Sequence, residues 1–306
     1  MVRWSPRSPS AAVMLGAMAL DELFGDPSDT WHPVRWFGLA ITRLERVLYR
    51  DSKSRGATFF TLALGSVSLA PTLFAPGGRV AECVALWLTL GGRSLVREAE
   101  AIAALLERDD LPGARRRLCS LVGRDTDALD AGEVARAVIE SIAENTTDAV
   151  LGPLVWYAIA GLGGALAFRS INTLDAMVGH QNSRYRNFGF VSAKADDLVV
   201  APAAVIGCAV TWMFAGQSGR RRALTCLTSA PAHPSLNAGL IEAAFAGSLG
   251  VELGGINRYR GRPVSTPRLP GGDPPDVHAL RRAARLSRVV GWSATLILAV
   301  GVATLA

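Results

Sequence analysis

Long apolar stretches separated by dense polar segments set the pattern of this chain. Four runs, Gly56 to Gly78, Ala149 to Phe168, Leu198 to Gly219 and Val289 to Ala306, contain no Asp, Glu, Lys or Arg. Each is close to the roughly 20 mostly apolar residues that a helix needs to cross about 30 Å of hydrocarbon. Charge inside lipid is costly, so clean runs flanked by ionisable residues predict spanning helices. One such run could be a buried helix of a soluble protein; four point to a polytopic membrane protein. Two shorter stretches, Ala11 to Leu20 and Val80 to Gly92 (the second carrying Glu82), have the length of half-spans, buried helices or interfacial helices. The first also looks like a signal-peptide core behind Arg3 and Arg7, with Ala17 and Ala19 at cleavage-like spacing. The polar motif that follows it leads us to expect that it is retained. Strand signals are weak throughout. The expected fold is therefore all-α: one polytopic membrane domain over residues 1–306, with about four to six membrane segments and polar helical loops forming an active site at the membrane boundary.

Four polar segments lie between the runs: "DELFGDPSDTWHPV" (Asp21 to Val34), Arg93 to Asp148, Arg169 to Asp197, and Ala230 to Pro263 leading into "RLPGGDPPD". The second reads as helical hairpins broken at Pro112 and Gly113. If only the four long runs cross, the first and third segments face one side and the second and fourth the other. A site using all four then needs an extra crossing, for which Val80 to Gly92 is our choice, or helices that dip into the membrane around a cavity.

Several of these segments gather acids and amides where a span begins or ends. In "ESIAENTTDAV", Glu140, Glu144 and Asp148 recur every four residues and so stack on one helical stripe, with Glu133 two turns earlier. Like charges on one stripe repel, which calls for a cation: Mg²⁺, which takes one or two carboxylates plus phosphate oxygens, or a nearby Arg or Lys. A solvated helix face with Arg136 as partner is the plainer alternative. In "GRDT", Asp125 or Thr126 can cap the following helix, and Arg124 has the bidentate geometry to grip a phosphate. "INTLDAM" sets Asn172 three residues before Asp175, and "KADD" sets Lys194, Asp196 and Asp197 before the next run. In "HPSLNAGLIEAA", His233 and Asn237 precede Glu242. No second histidine stands at zinc-ligand spacing.

Composition narrows the classes. Hydrophobic residues make up 50% of the chain and the net charge is +6. The "RRR" patches at 115–117 and 220–222 lack aromatic interleaving and mark membrane flanks rather than nucleic-acid contacts. The four cysteines show no ligand spacing and read as small buried hydrophobes. There is no Walker loop, no dinucleotide fingerprint, no GxSxG elbow and no Cys/His nucleophile pair.

Taken in order, "DELFGDPSDTWHPVRWFG", "GRDT", "ESIAENTTD", "NTLDAMVGH", "YRNFG", "KADDLVVAP" and "HPSLNAG" with "ELGGINRYRG" resemble the adenosylcobinamide-phosphate synthases of cobalamin biosynthesis, the CbiB/CobD family. The resemblance runs from about Asp21 to Leu269. The chain differs from the family pattern at His180, Val200, Ala204 and Leu236. The resemblance implies a ligase of the cell membrane that uses ATP and Mg²⁺ to join aminopropanol, or its O-phosphate, to the free propionate of adenosylcobyric acid. Its implied partners are the corrinoid, aminopropanol phosphate, ATP, the lipid bilayer and other membrane enzymes of the late pathway; nucleic acid is not among them. Within that reading, Glu140, Glu144 and Asp175 are the catalytic candidates. Asp148, Asp175, Asp196 and Asp197 are the metal candidates, and Arg124, Asp125, Thr126, Asn145, Asn172, Lys194, His233 and Asn237 contact substrate or phosphate. One acid serves as base. Asp21 and Asp26 with His32 either close the same cavity or cap helices. A site fed by cytosolic ATP opens to the cytoplasm. Two other readings compete on the residues alone. A membrane transferase of prenyl diphosphates would carry DDxxD repeats, of which "ADDLV" is a fragment. A transporter or structural membrane protein would place charges inside the spans, which are clean.

Overall fold

The computed structural model describes residues 8–27, 30, 32–180 and 182–305. The Arg3 and Arg7 flank and, in the polar segments, Ser28, Asp29, Trp31 and Gln181 lie outside the described residues. The helices are α1 (Ala11–Phe24), α2 (Pro33–Leu48), α3 (Lys53–Val67), α4 (Ala70–Phe74), α5 (Gly78–Trp87), α6 (Gly92–Leu106), α7 (Leu111–Leu118), α8 (Ala131–Thr146), α9 (Gly152–Val178), α10 (Phe190–Phe214), α11 (Gln217–Leu227), α12 (Leu236–Leu249) and α13 (Val277–Leu305). Two strands, β1 (Glu252–Tyr259) and β2 (Arg262–Pro270), form one antiparallel hairpin between α12 and α13. Four helical stretches are long and apolar enough to cross a membrane: Lys53–Leu106, Ala131–Val178, Phe190–Phe214 and Val277–Leu305. The protein is thus a polytopic helical membrane protein.

The chain divides into two compact units. One comprises 1–91, 148–203 and 295–306; the other comprises 92–147 and 204–294. In the first, α1 packs on α5, and α2, α3 and α9 pack on one another. Ile41, Phe59, Leu174, Val178 and Phe188 form a core there. Gly56 has no room for a side chain, because a Cβ would overlap the Phe188 carbonyl. Glu82, the acid in an otherwise apolar stretch, is buried and satisfied: it accepts from Tyr157 Oη at 2.7 Å and pairs with Arg79 at 2.9 Å. In the second unit, α6, α7, α8, α11 and α12 enclose a core of Ile102, Leu118, Val138, Ile142, Ile241, Phe245 and Leu280.

Several sequence expectations change. The run from Gly56 to Gly78 is divided among α3, α4 and the start of α5. Pro71 and Pro76 donate no amide to a helix, and Gly78 takes φ 65°. The stretch from Val80 to Gly92 folds largely as α5, whose ten residues rise about 15 Å, half the hydrocarbon thickness. α9 breaks at Ala160 (φ −133°) and Gly161 (φ 62°), a left-handed position that glycine enters without a Cβ clash. Ahead of α9, Thr147–Leu151 form a π turn, so the regular four-residue stripe does not run through to Asp148. The N-cap of α8 is Asp130, in a capping box with Glu133, and not Asp125 or Thr126. The hairpin is the element that the sequence pattern did not announce. Its two-residue loop, Arg260 (φ 52°) and Gly261 (φ 75°), has both residues at positive φ, as a hairpin of this length prefers.

Candidate functional site

Two polar clusters emerge, one in each unit, and "ESIAENTTD" feeds both. In the first unit, Asp148 stands in the π turn, Asn172 and Asp175 on α9, and Asp196 and Asp197 on α10. The Asn172 amide donates to Asp148 Oδ2 at 3.0 Å and to Asp196 Oδ1 at 3.3 Å, so one side chain gathers two carboxylates. Asp175, one turn beyond Asn172, faces the charge of Asp197 on one side and His180 on another. Lys194 is exposed and paired with Asp197 at 2.8 Å. Arg169, one turn before Asn172, lies within electrostatic reach of Asp26 and Asp148. Its Nε is sealed from solvent and has no hydrogen-bond partner. A buried donor left unmet costs about 1–3 kcal/mol, so it asks for an explanation.

In the second unit, Glu140 is the hub. It is buried on α8. Its Oε1 accepts from the Gly254 amide at 2.8 Å and from Arg136 at 3.1 Å, while Oε2 pairs with Arg124 at 2.7 Å. Arg136 also donates to the Gly254 carbonyl at 2.8 Å. Asn257, buried on β1, accepts from Arg124 at 2.7 Å and from Arg136 at 3.2 Å. Asp125 holds the hairpin tip: its oxygens accept the Arg260 and Gly261 amides at 2.9 and 2.7 Å, and its own amide donates to the Arg258 carbonyl. Thr126 is buried against Cys119. "GRDT" therefore clamps the β hairpin, and the cations that offset Glu140 are Arg124 and Arg136.

Glu242 on α12 is buried nearby. Burial first, and then the charges of Glu140 and Glu144, push its carboxyl well above the ordinary value, with Arg124 and Arg136 pulling the other way. His233 Nε2 is 3.8 Å from Glu242, and its Nδ1 sits 2.7 Å from the Ser235 carbonyl. Glu144 is exposed, Asn145 donates to the Ser141 carbonyl at 2.9 Å, and Asn237 lies in the first turn of α12. Of the sequence-derived candidates, the structure brings Asp148, Asn172 and Asp196 together in one unit and Arg124 and Glu140 together in the other. Arg169 and Asn257 are not among the sequence-derived candidates, whereas Arg136 does partner Glu140. Arg136 had been seen only as a helix-face partner, whereas Asn257 lay in a segment whose strand pairing was not anticipated. The signal for Arg169 was a lone arginine directly after an uncharged run.

A model of the CobD/CbiB proteins matches residues 14–287, so it covers most of this chain and both clusters. The chain belongs to the CobD/CbiB family. It is 42% identical over 302 residues to a protein of Mycobacterium tuberculosis named cobalamin biosynthesis protein CobD, covering 96% of this chain and 95% of that one. Proteins of the same name from Geobacter metallireducens and Stutzerimonas stutzeri are 41% and 43% identical, covering 96% and 89% of this chain and 97% and 91% of theirs. No solved structure matches. Two of the family-like segments, "GRDT" and "ELGGINRYRG", account for the clamp between loop and hairpin. "NTLDAM" and "KADD" supply the Asn172 cluster.

Proposed function

We propose that the protein makes an amide bond in cobalamin biosynthesis, joining aminopropanol or its O-phosphate to the propionate of adenosylcobyric acid with ATP consumed. The observation that carries this reading is the convergence of Asp148 and Asp196 on Asn172 in a chain of this family. A carboxylate does not acylate an amine until one oxygen can leave, and phosphorylation by ATP provides that leaving group. The charge on ATP and on the acyl phosphate must then be neutralised. Asp148 and Asp196 fit Mg²⁺, which takes one or two carboxylates and completes its shell with water and phosphate oxygens. Among the described residues no group of three or more His, Cys, Asp or Glu could hold a metal ion by itself. When bound, Mg²⁺ supplies Lewis-acid neutralisation of phosphate charge.

Asn172 fixes the rotamers of both carboxylates through its amide. Asp175 is the candidate base that takes a proton from the substrate ammonium, so that the free amine attacks and phosphate leaves. A cytoplasmic opening at the cell membrane matches the location of ATP. The test is direct: the protein purified in detergent is given ATP, Mg²⁺, adenosylcobyric acid and aminopropanol phosphate, and the amide product is assayed. No product from the wild type overturns the reaction. Full activity in Asp148→Asn and Asp175→Asn overturns the site.

A further inference from the structure

Arg124 and Arg136 are committed to Glu140 and Asn257, and Lys194 is an exposed partner of Asp197. Arg169 differs. The residue is partly buried on α9. Its Nε is buried without a hydrogen bond, as is that of Arg124, but Arg124 forms an ion pair with Glu140 through Nη2. Asp26 and Asp148 lie within electrostatic reach of its charge. A guanidinium offers its donors as a planar fork that matches two oxygens of a phosphate. Three residues along the same helix, Asn172 gathers the Asp148 and Asp196 carboxylates suited to Mg²⁺.

We infer that Arg169 is the phosphate-binding cation of this unit, and that its guanidinium takes phosphoryl oxygens of a Mg-nucleotide whose metal is held by Asp148 and Asp196. The inference rests on the proposed ATP-dependent reaction for the identity of the ligand. It adds a residue that the carboxylate pattern alone does not supply. The negative charges of Asp26 and Asp148 let the arginine reside within α9 before nucleotide arrives.

The experiment measures MgATP binding directly, by equilibrium dialysis and by thermal protection of the detergent-purified protein, alongside steady-state kinetics. Inorganic pyrophosphate with Mg²⁺ serves as the probe that lacks adenosine. In Arg169→Lys the charge facing Asp26 and Asp148 is retained and the fork is lost, so the variant keeps its unliganded melting point. MgATP affinity is expected to fall about 10- to 100-fold, the loss of one to two charge-assisted hydrogen bonds. The KM for ATP rises in step, the KM for the corrinoid stays the same, and pyrophosphate no longer protects. Arg169→Gln gives a larger loss. Wild-type MgATP affinity in Arg169→Lys overturns the inference, as does a rise confined to the corrinoid KM, which would place a substrate carboxylate on Arg169 instead. Should wild type bind MgATP with Arg169 dependence yet form no amide, the proposed reaction fails and the phosphate site stands. Should wild type form the amide while the Arg169 variants bind MgATP normally, the reverse holds.

Discussion

At the scale of single residues, Glu140 and Glu242 show two ways to bury a carboxylate. Glu140 is met by two guanidinium groups and a backbone amide. Removing one partner of such a buried network leaves the others uncompensated and costs about 3–5 kcal/mol. Glu140→Gln should therefore lower the melting point by on the order of 10 °C in detergent, read by scanning fluorimetry. Glu242 meets its burial differently, by holding on to its proton. Its folded carboxyl titrates above the ordinary value of 4.5, chiefly through burial and then through Glu140 and Glu144. The sign follows from linkage. Between the ordinary value and the raised one, the unfolded chain has released the proton that the folded chain keeps. The contribution of Glu242 is full below the ordinary value and is lost as pH rises through the folded value. Glu242→Gln needs no proton, so its melting point should fall less than that of wild type between pH 5 and pH 8. Parallel pH dependences in the two proteins would contradict this.

At the scale of elements, the hairpin is an anchored piece rather than a free arm. An isolated two-stranded hairpin is marginal in water, and this one is tied at both ends. Gly254 and Asn257 meet the Arg124–Glu140–Arg136 network, and the turn amides of Arg260 and Gly261 meet Asp125. Asp125→Ala should cost only about 1 kcal/mol globally, since the site is exposed. It should nevertheless free the tip, whose Arg258 and Arg260 are trypsin sites, so cleavage within the hairpin accelerates while the melting point barely moves. Unchanged cleavage would show that the tip is held by something else. The hairpin was hard to read from sequence for a physical reason. Its turn is Arg-Gly rather than Asn-Gly, and Leu253 and Leu269 reach the apolar core while Gly254 and Asn257 meet the arginine network, so apolar alternation is faint. The helices were legible because their burial against lipid or core writes long apolar runs. The breaks inside those runs were not: Gly161 and the π turn at Thr147–Leu151 look like ordinary apolar or polar sequence until the backbone is seen.

At the scale of the whole molecule, the acids and amides noted at span ends sort into two chemically different sets, and sequence order does not separate them. Glu140 and Asp148 belong to one nine-residue motif, but the first lies in a neutralised structural network and the second beside Asn172 and Arg169. Spacing alone could show that they recur every four residues; only the placement of Arg124 and Arg136 shows which carboxylate already has its charge matched. A separation of phenotypes follows. Asp148→Asn and Asp196→Asn keep the Asn172 contacts within reach of an amide oxygen, so the fold should persist with a melting point within a few degrees of wild type. Removing carboxylate charge from the proposed phosphate chemistry should lower amide formation on the order of 10²-fold or more, with MgATP affinity reduced as well. Glu140→Gln should instead lose stability first, with activity falling in proportion to folded protein. Measuring melting point, MgATP binding and turnover on the same preparations of all three variants decides the matter. If Asp148→Asn and Asp196→Asn unfold while Glu140→Gln remains folded and inactive, the chemistry belongs to the Glu140 network and the assignment of the two clusters is reversed.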